Sequence, residues 1–238
     1  MKEIENTGER ILLEKESPLM IARHFSAYKF AKGLVAGKRV LEIGSGEGYG
    51  THYLSGFAKN ITGIDYSKDA VQYAKDKYKN NNLSFLVMDA KEIGKLNEKF
   101  DIVCSFQNIE HIEDTDSLLK NVAQILDENG IFICSTCNKK DASPNQETPL
   151  NKFHVKEYLW LEFMGLLTKY FKSVEMAGLK RSKKMVFYRR LKKIGIFNFL
   201  PEKINPVKRF YARISHNDFV ITNKNLDRCL DFIAVCRK

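Results

Sequence analysis

Short apolar runs alternate along the chain with longer stretches in which apolar residues recur at helical spacing. The short runs predict seven strands, at residues 40–43, 61–65, 83–88, 100–106, 131–135, 173–179 and 229–236. The helical period predicts a helix over 18–36, where Pro18 suits the first turn, and further helices up to Leu54 and over 67–79, 117–126 and 155–171. Strands that alternate with helices predict an α/β fold, in which a mostly parallel seven-stranded sheet has helices on both faces.

The same pattern predicts the domain organisation. Residues 1–37 are expected to form an N-terminal helical cap, and residues 38–238 one α/β domain. Within that domain, residues 180–226 lie between the last two predicted strands and are expected to form a basic, aromatic insertion. The polar stretch 138–149 contains two prolines and predicts a loop over the functional edge of the sheet.

The first strand leads into a glycine-rich turn, GSGEGYG, at residues 44–50. A strand, such a turn and a helix together direct backbone N–H groups at a ligand. The dinucleotide pattern G-x-G-x-x-G fails here because Tyr49 stands at its third glycine, and the P-loop sequence G-K-[ST] is missing. The carboxylates of Glu42 and Glu47 would also repel a pyrophosphate. These observations argue against a nicotinamide-dependent oxidoreductase, whereas acidic surroundings suit S-adenosylmethionine, which carries an ammonium and a sulfonium.

Two further acidic residues end predicted strands. Asp65 follows the second strand, 21 residues after Gly44, where a carboxylate can accept hydrogen bonds from both ribose hydroxyls. Asp89 follows the third strand, next to the expected position of an adenine, and Tyr66 offers that base an apolar face. The alternative is that the glycines only make a tight turn and that the acidic residues cap helices.

Four segments, VLEIGSGEGYG, GIDYS, FLVMDA and FDIVCSFQNIEHIED, resemble in order and spacing the cofactor-binding motifs of class I methyltransferases. They cover about residues 38–136. The resemblance implies a Rossmann-like fold and S-adenosyl-L-methionine as the cofactor. It further implies that the turn from Gly44 wraps the methionine part, that Asp65 binds the ribose, and that Gln107 lies near the methionine end. The residues implied or expected to contact the cofactor are Tyr28, Glu42, Gly44, Ser45, Gly46, Asp65, Tyr66, Asp89, Ala90 and Gln107.

Three segments narrow the resemblance to one group of methyltransferases: HFSAYKFAKGLVAGKRVLEIGSGEGYG, FHVKEY and DFIAVCRK. They are similar to methyltransferases found with glycosyltransferases in bacterial surface-polysaccharide assembly. That similarity implies a hydroxyl of a sugar or lipid-linked glycan as the methyl acceptor, although Ala27 stands where the group often has an Arg before the equivalent of Tyr28. A small metabolite or RNA as acceptor, and a non-catalytic relative that binds the cofactor, remain the alternatives.

Transfer to a hydroxyl is helped by a general base, for which the candidates are Glu110, His111 and His154. A histidine suits the role because its pKa lies near neutrality. The alternatives are that His111 orients the loop after the fourth strand, that Glu110 interacts with the cofactor's amino group, and that His154 caps a helix that begins near Val155.

The five cysteines predict no metal or redox site. Cys134 and Cys137 have the C-x-x-C spacing, but neither a second pair nor two nearby histidines would complete a tetrahedral site. We therefore expect a buried structural role for the cysteines.

The net charge of +10 is concentrated in one segment. Residues 180–213 contain twelve Lys or Arg and one acidic residue, so the other 204 residues together carry a net charge of −1. Basic and aromatic residues interleaved in this way suit an anionic membrane surface, a solvated lid or dimer face, or, as the weaker alternative, a nucleic acid. The chain shows no apolar run of 18 residues and no signal-peptide pattern at its N-terminus, which predicts a cytoplasmic protein without a transmembrane segment. In the alternative in which the basic segment meets a membrane, the protein is expected to be peripheral at its inner face.

Overall fold

A computed structural model describes residues 11–238, so the first ten residues of the predicted N-terminal cap lie outside the described residues. The strands are β1 (Arg39–Ile43), β2 (Asn60–Asp65), β3 (Leu83–Val87), β4 (Phe100–Phe106), β5 (Leu126–Cys137), β6 (Ser173–Arg181), β7 (Phe219–Thr222) and β8 (Asp231–Arg237). The helices are α1 (Pro18–Ala31), α2 (Tyr49–Ser55), α3 (Lys68–Lys77), α4 (Thr115–Ile125), α5 (Lys139–Ala142), α6 (Trp160–Leu167), α7 (Lys183–Ile194) and α8 (Pro206–Ala212).

All eight strands form one sheet in the order β3-β2-β1-β4-β5-β8-β6-β7. Strands β1 to β5 pair in parallel, and β8 inserts antiparallel between β5 and β6. The chain winds from β1 outward to β3 and then returns to place β4 on the other side of β1. A crevice opens at such a reversal, at the carboxyl ends of the two central strands.

The prediction of seven strands was wrong, because β7 adds an eighth inside the segment 180–226. It pairs antiparallel with β6, from Arg181 opposite Phe219 to Gly178 opposite Thr222. Only four residues long and surrounded by polar sequence, this strand shows little of the alternating pattern that predicts strands. Its formation depends on the edge of β6, which is distant in sequence. The segment 180–226 therefore contains the end of β6, helices α7 and α8, and an edge strand of the main sheet.

The helix predicted over 155–171 begins only at Trp160 and ends at Leu167. The backbone N–H groups of Val155 and Lys156 instead donate to the carbonyl oxygen of Glu110, at 2.8 and 3.1 Å. These two bonds hold residues 151–159, which are irregular, against the loop after β4. This contact attaches the segment to the end of β4, beside the crevice.

Two apolar cores cover opposite faces of the sheet. Leu41 of β1 packs in a core with α4 and α6, whereas its neighbour Val40 packs in a second core with α1 and α2. Successive residues of a strand point to opposite faces, so this division confirms helices on both sides. A third cluster holds α7 and α8 against β6, β7 and Ala22 of α1.

Candidate functional site

A cavity of about 750 Å³ lies at the carboxyl ends of the central strands. Its volume is within the range of small-molecule sites. Of the predicted site residues, all but one line this cavity: Tyr28, Gly44, Ser45, Gly46, Asp65, Tyr66, Asp89, Ala90, Gln107, Glu110, His111 and His154. The exception is Glu42, which is fully buried and does not contribute to the wall. The structure thus brings the predicted cofactor and base candidates to one place, while their individual roles stay predictions.

Asp65 is held by backbone donors from the turns after β1 and β2. Its Oδ2 accepts from the N–H of Gly46 and its Oδ1 from the N–H of Ser67, each at 2.9 Å. The first contact ties the end of β2 to the glycine turn after β1, and the second starts the turn into α3. The two hydrogen bonds therefore fix the direction of the carboxylate.

The glycine turn follows β1 in a conformation that side chains disfavour. Gly44 has φ +76°, and a Cβ added there would lie 2.6 Å from Oδ1 of Asn108. The turn is therefore both left-handed and in close contact with the segment after β4. Beside it, the hydroxyl oxygen of Ser45 is buried and has no hydrogen-bond partner among the described residues. That atom remains available to a ligand.

Tyr28 connects α1 to the part of the cavity that is lined by the predicted cofactor-binding residues, which we call the cofactor side. Its hydroxyl donates to Oε1 of Glu42 at 2.7 Å, and both residues are buried. Burial raises the pKa of the Glu42 carboxyl to about 7, although hydrogen bonds to the carboxylate oppose the shift. Glu42 thus binds Tyr28 and does not itself line the cavity. Its position does not support the expectation that it contacts the cofactor.

The outer part of the cofactor side is formed by the ends of β3 and β4. Asp89 accepts from the N–H of Lys91 at 2.9 Å and so starts a short 3-10 helix, while it also lines the cavity. Tyr66 is 59% exposed, so one face of its ring can receive an apolar ligand. Gln107 has φ +48°, and its N–H donates to the carbonyl oxygen of Ser135 at 2.9 Å. This turn directs the chain after β4 along the cavity.

His111 has a defined tautomer on the other side of the cavity. Its Nδ1 lies 2.9 Å from the carbonyl oxygen of Phe153. Because a carbonyl oxygen only accepts, Nδ1 carries a proton, and in the neutral ring the lone pair is then on Nε2. An imidazole with a lone pair on Nε2 can accept a proton. The ring packs edge-on against His154, with centroids 4.9 Å apart.

His154 and Glu110 are more tightly engaged. Nδ1 of His154 lies 2.8 Å from Oε1 of Glu157, and its Nε2 lies 3.1 Å from the amide nitrogen of Asn151. No helix begins at Val155, so the expectation that His154 caps one is wrong. Glu110 is buried and accepts from the hydroxyl of Thr136 at 3.0 Å, and burial raises the pKa of its carboxyl to about 8.

One group of side chains in the cavity wall was not predicted from the sequence. A carboxylate oxygen of Glu110, the sulfur of Cys137 and a ring nitrogen of His154 lie within 4.8 Å of one another, which gives them the ligand types and spacing of a metal site. They come from three separate segments, so sequence spacing could not reveal them. The hydrogen bond from His154 to Glu157 occupies the ring nitrogen that faces this group. All five cysteines are buried and free of disulfides.

Tyr28 of α1 and the loop 138–149 were predicted at this edge of the sheet, but Arg23, His24 and Asp141 were not predicted to line the cavity. Arg23 binds Asp231 through two hydrogen bonds, of 2.8 and 2.6 Å, and lies 3.6 Å from Asp141. His24 lines the cavity beside it, and burial lowers its pKa to about 4, so the ring is neutral at neutral pH. The helical period of α1 was visible, but not the face that it turns to the cavity.

A family described as a methyltransferase domain matches residues 34–186. The chain belongs to this methyltransferase family. The predicted methyltransferase class and its cofactor, S-adenosylmethionine, are thereby confirmed.

Among its relatives, a probable S-adenosylmethionine-dependent methyltransferase of Mycolicibacterium smegmatis is 33% identical over 168 residues. The match covers 68% of this chain and 62% of the relative's length. A ubiquinone biosynthesis O-methyltransferase of Pelagibacter ubique is 31% identical over 102 residues, which is 42% of each chain. In fold, the chain is similar to an S-adenosylmethionine-dependent methyltransferase from Thermotoga maritima, with a TM-score of 0.65, 18% identity and 97% of each chain covered.

Within residues 11–238, no helix combines the length and apolar character needed to cross a bilayer.

Proposed function

We propose that this methyltransferase transfers a methyl group to a hydroxyl of a sugar or lipid-linked glycan, with His111 as the general base. The observation that carries the proposal is the position of His111, whose ring lines the cavity next to the cofactor side and is oriented through Nδ1 by the carbonyl oxygen of Phe153. The glycan acceptor rests on the similarity of three sequence segments to polysaccharide-modifying methyltransferases. It is also supported by the polar groups of the acceptor side, by which we mean the part of the cavity lined by α1, the segment after β4 and residues 137–157.

The residues of the cofactor side fit S-adenosylmethionine. Asp65 presents a carboxylate fixed by two backbone N–H groups, and the buried hydroxyl of Ser45 lacks a partner among the described residues. Tyr66, Asp89 and Ala90 would border the adenine, and Gln107 would lie near the methionine end. When bound, the cofactor supplies an activated methyl group as a sulfonium.

The chain's own part in the reaction is to position the acceptor and accept a proton. Nε2 of His111 would take the proton that the acceptor hydroxyl loses, while the carbonyl oxygen of Phe153 holds the ring through Nδ1. Glu110 is the less suitable base because its buried carboxyl, with a pKa of about 8, is largely protonated at neutral pH. His154 has both ring nitrogens within hydrogen-bond distance of neighbouring side chains, so we assign it a positioning role.

The polar groups of the acceptor side suit a ligand with several hydroxyls. Arg23, Asp141, Asn151 and His154 all line this part of the cavity. A small metabolite is the alternative acceptor, and it is favoured by the likeness to the ubiquinone O-methyltransferase. Incubation with S-adenosylmethionine and each acceptor class, followed by mass spectrometry, distinguishes the two by which class gains a methyl group.

The segment 180–213 is proposed to bring the protein to an anionic membrane surface. Several large apolar side chains are exposed near its basic residues: Phe187, Ile194, Ile196, Phe199 and Ile204. Exposed apolar and basic groups together favour an interfacial position. Flotation with phosphatidylglycerol vesicles at low salt tests this, and a protein that stays in the bottom fraction contradicts it.

Cofactor binding tests the foundation of the proposal. Asp65→Ala removes a charged acceptor worth about 1.5–3 kcal/mol per hydrogen bond, so we expect S-adenosylhomocysteine to bind about 100-fold more weakly by calorimetry. Asp69→Ala, which removes an exposed carboxylate from the first turn of α3, is the matched control and should leave the affinity unchanged. Asp65→Asn keeps the shape of the turn, in case the alanine variant fails to fold. Equal affinity of Asp65→Asn, Asp69→Ala and the wild type would refute the ribose role.

A further inference from the structure

A second cavity, of about 460 Å³, lies between the end of β6, one face of α7 and the segment before β8. We call it the basic groove. Its cationic lining residues are Lys180, Arg181, Arg189, Arg190, Lys193 and Arg228. Along α7, Lys193 stands four positions after Arg189 and three after Arg190, so these side chains lie on one side of that helix. Asn225, Val186 and Leu230 complete the wall, which contains no acidic residue.

The charges of the basic groove are poorly compensated. Across residues 11–238, neither Arg189, Arg190, Lys193 nor Arg228 lies within ion-pair distance of an acidic group. Arg181 has only Asp141, at 3.7 Å. Burial, together with the neighbouring positive charges of Arg189 and Arg23, lowers the pKa of the Arg181 guanidinium. Like charges held this close repel one another, and an anion in the groove would relieve that repulsion.

The basic groove shares a wall with the main cavity. Asp141 lines the main cavity and lies between Arg181 of the groove and Arg23 of α1, at 3.7 and 3.6 Å. Arg23 also donates to the carbonyl oxygen of Leu230, a residue that lines the groove. The two cavities are therefore adjacent, separated by the side chains of Arg23, Asp141 and Arg181.

We infer that the basic groove binds a phosphate or diphosphate group carried by the methyl acceptor. The inference deepens the proposed function and rests on it, because the acceptor must occupy the main cavity while its phosphate lies in the groove. Arginine guanidinium groups bind phosphate oxygens in pairs, which accounts for the four arginines among the six cations. The acceptor class is therefore a phosphorylated or diphosphate-linked compound rather than a neutral one.

The experiment measures binding of inorganic pyrophosphate by calorimetry at moderate salt, with S-adenosylhomocysteine as a second ligand. The double variant Arg189→Ala, Lys193→Ala removes two exposed groove cations from α7. We expect pyrophosphate to bind the wild type with one site and the variant about tenfold or more weakly, since charge-assisted contacts are lost. S-adenosylhomocysteine affinity should be unchanged, which separates this result from failure of the cofactor site.

The control is the double variant Lys208→Ala, Arg209→Ala. It removes the same charge from the exposed face of α8, outside the groove, and should bind pyrophosphate like the wild type. The inference is overturned if the wild type does not bind pyrophosphate, or if both double variants lose affinity equally. Flotation with phosphatidylglycerol vesicles identifies the source of the phosphate. Greater loss of vesicle binding by the groove variant than by the control supports a lipid-borne phosphate, and pyrophosphate binding without vesicle association supports a soluble phosphorylated acceptor.

Discussion

The cofactor side of the main cavity is formed by four strand ends that follow one another along residues 43–107. The acceptor side gathers side chains from α1, from the segment after β4 and from residues 137–157. On the cofactor side, the decisive contacts are between backbone N–H groups and one carboxylate, as at Gly46 and Asp65. On the acceptor side they join side chains to distant backbone, as at His111 and Phe153, which are 42 residues apart.

This difference indicates how the two sides can change independently. A cofactor site made from turns and strand ends depends on the sheet, which every member of the family must form. An acceptor site made from side chains on loops can change its specificity without disturbing the sheet. Substitutions on the acceptor side should therefore alter turnover and leave cofactor affinity intact.

The largest effect is expected for His111→Ala. Loss of a general base should lower kcat by about 10²–10⁴-fold, while calorimetric affinity for S-adenosylhomocysteine stays within about twofold of the wild type. His52→Ala is the matched control, because that ring stacks on Tyr78 and does not line the cavity. Turnover of His111→Ala close to the wild-type value would assign the proton transfer to another group.

A second prediction concerns Glu42, where the cofactor side depends on α1. The folded protein holds the Glu42 proton up to about pH 7, whereas the unfolded chain releases it near 4.5. The free energy of unfolding should therefore fall as pH rises through this window, by at most about 3 kcal/mol, and Glu42→Gln should abolish that part of the slope. Urea denaturation at pH 5 and pH 8 measures it.

The control for this slope is Glu128→Gln, which changes an exposed carboxylate in β5. It should reproduce the wild-type pH dependence. If Glu42→Gln and the wild type lose stability in parallel, the buried carboxyl does not titrate in this range.

The smallest effect is expected at Gly50, where the ring of Tyr28 lies directly over α2. A Cβ at position 50 would overlap that ring, so Gly50→Ala should destabilise by about 1–3 kcal/mol although alanine is the better helix former. Gly56→Ala is the control, since its Cβ would meet nothing closer than 3.5 Å, and it should be neutral or slightly stabilising. Thermal denaturation of both variants tests this prediction. Equal melting temperatures would mean that Tyr28 moves aside without loss of stability.

Local sequence patterns were enough to predict the features that involve only a few neighbouring residues. Strands β1 to β4 are short and largely apolar runs, and the turn that starts at Gly44 follows from its residues alone. The same signals failed for β7, which forms only because β6 offers an unpaired edge. They failed also for residues 155–159, which are irregular and are attached to Glu110 through the backbone N–H groups of Val155 and Lys156.

The sequence by itself determined the alternating pattern, the glycine turn and the acidic strand ends, and with them the family and the cofactor. Each of these depends on short-range geometry, in which a strand end fixes where the next few residues lie. Only the tertiary structure decided that Glu42 lies behind Tyr28, that Phe153 sets the tautomer of His111, and that six cations form one groove beside the cavity. Those features join segments far apart in the chain, and their distances are set by how the helices and loops pack on the sheet.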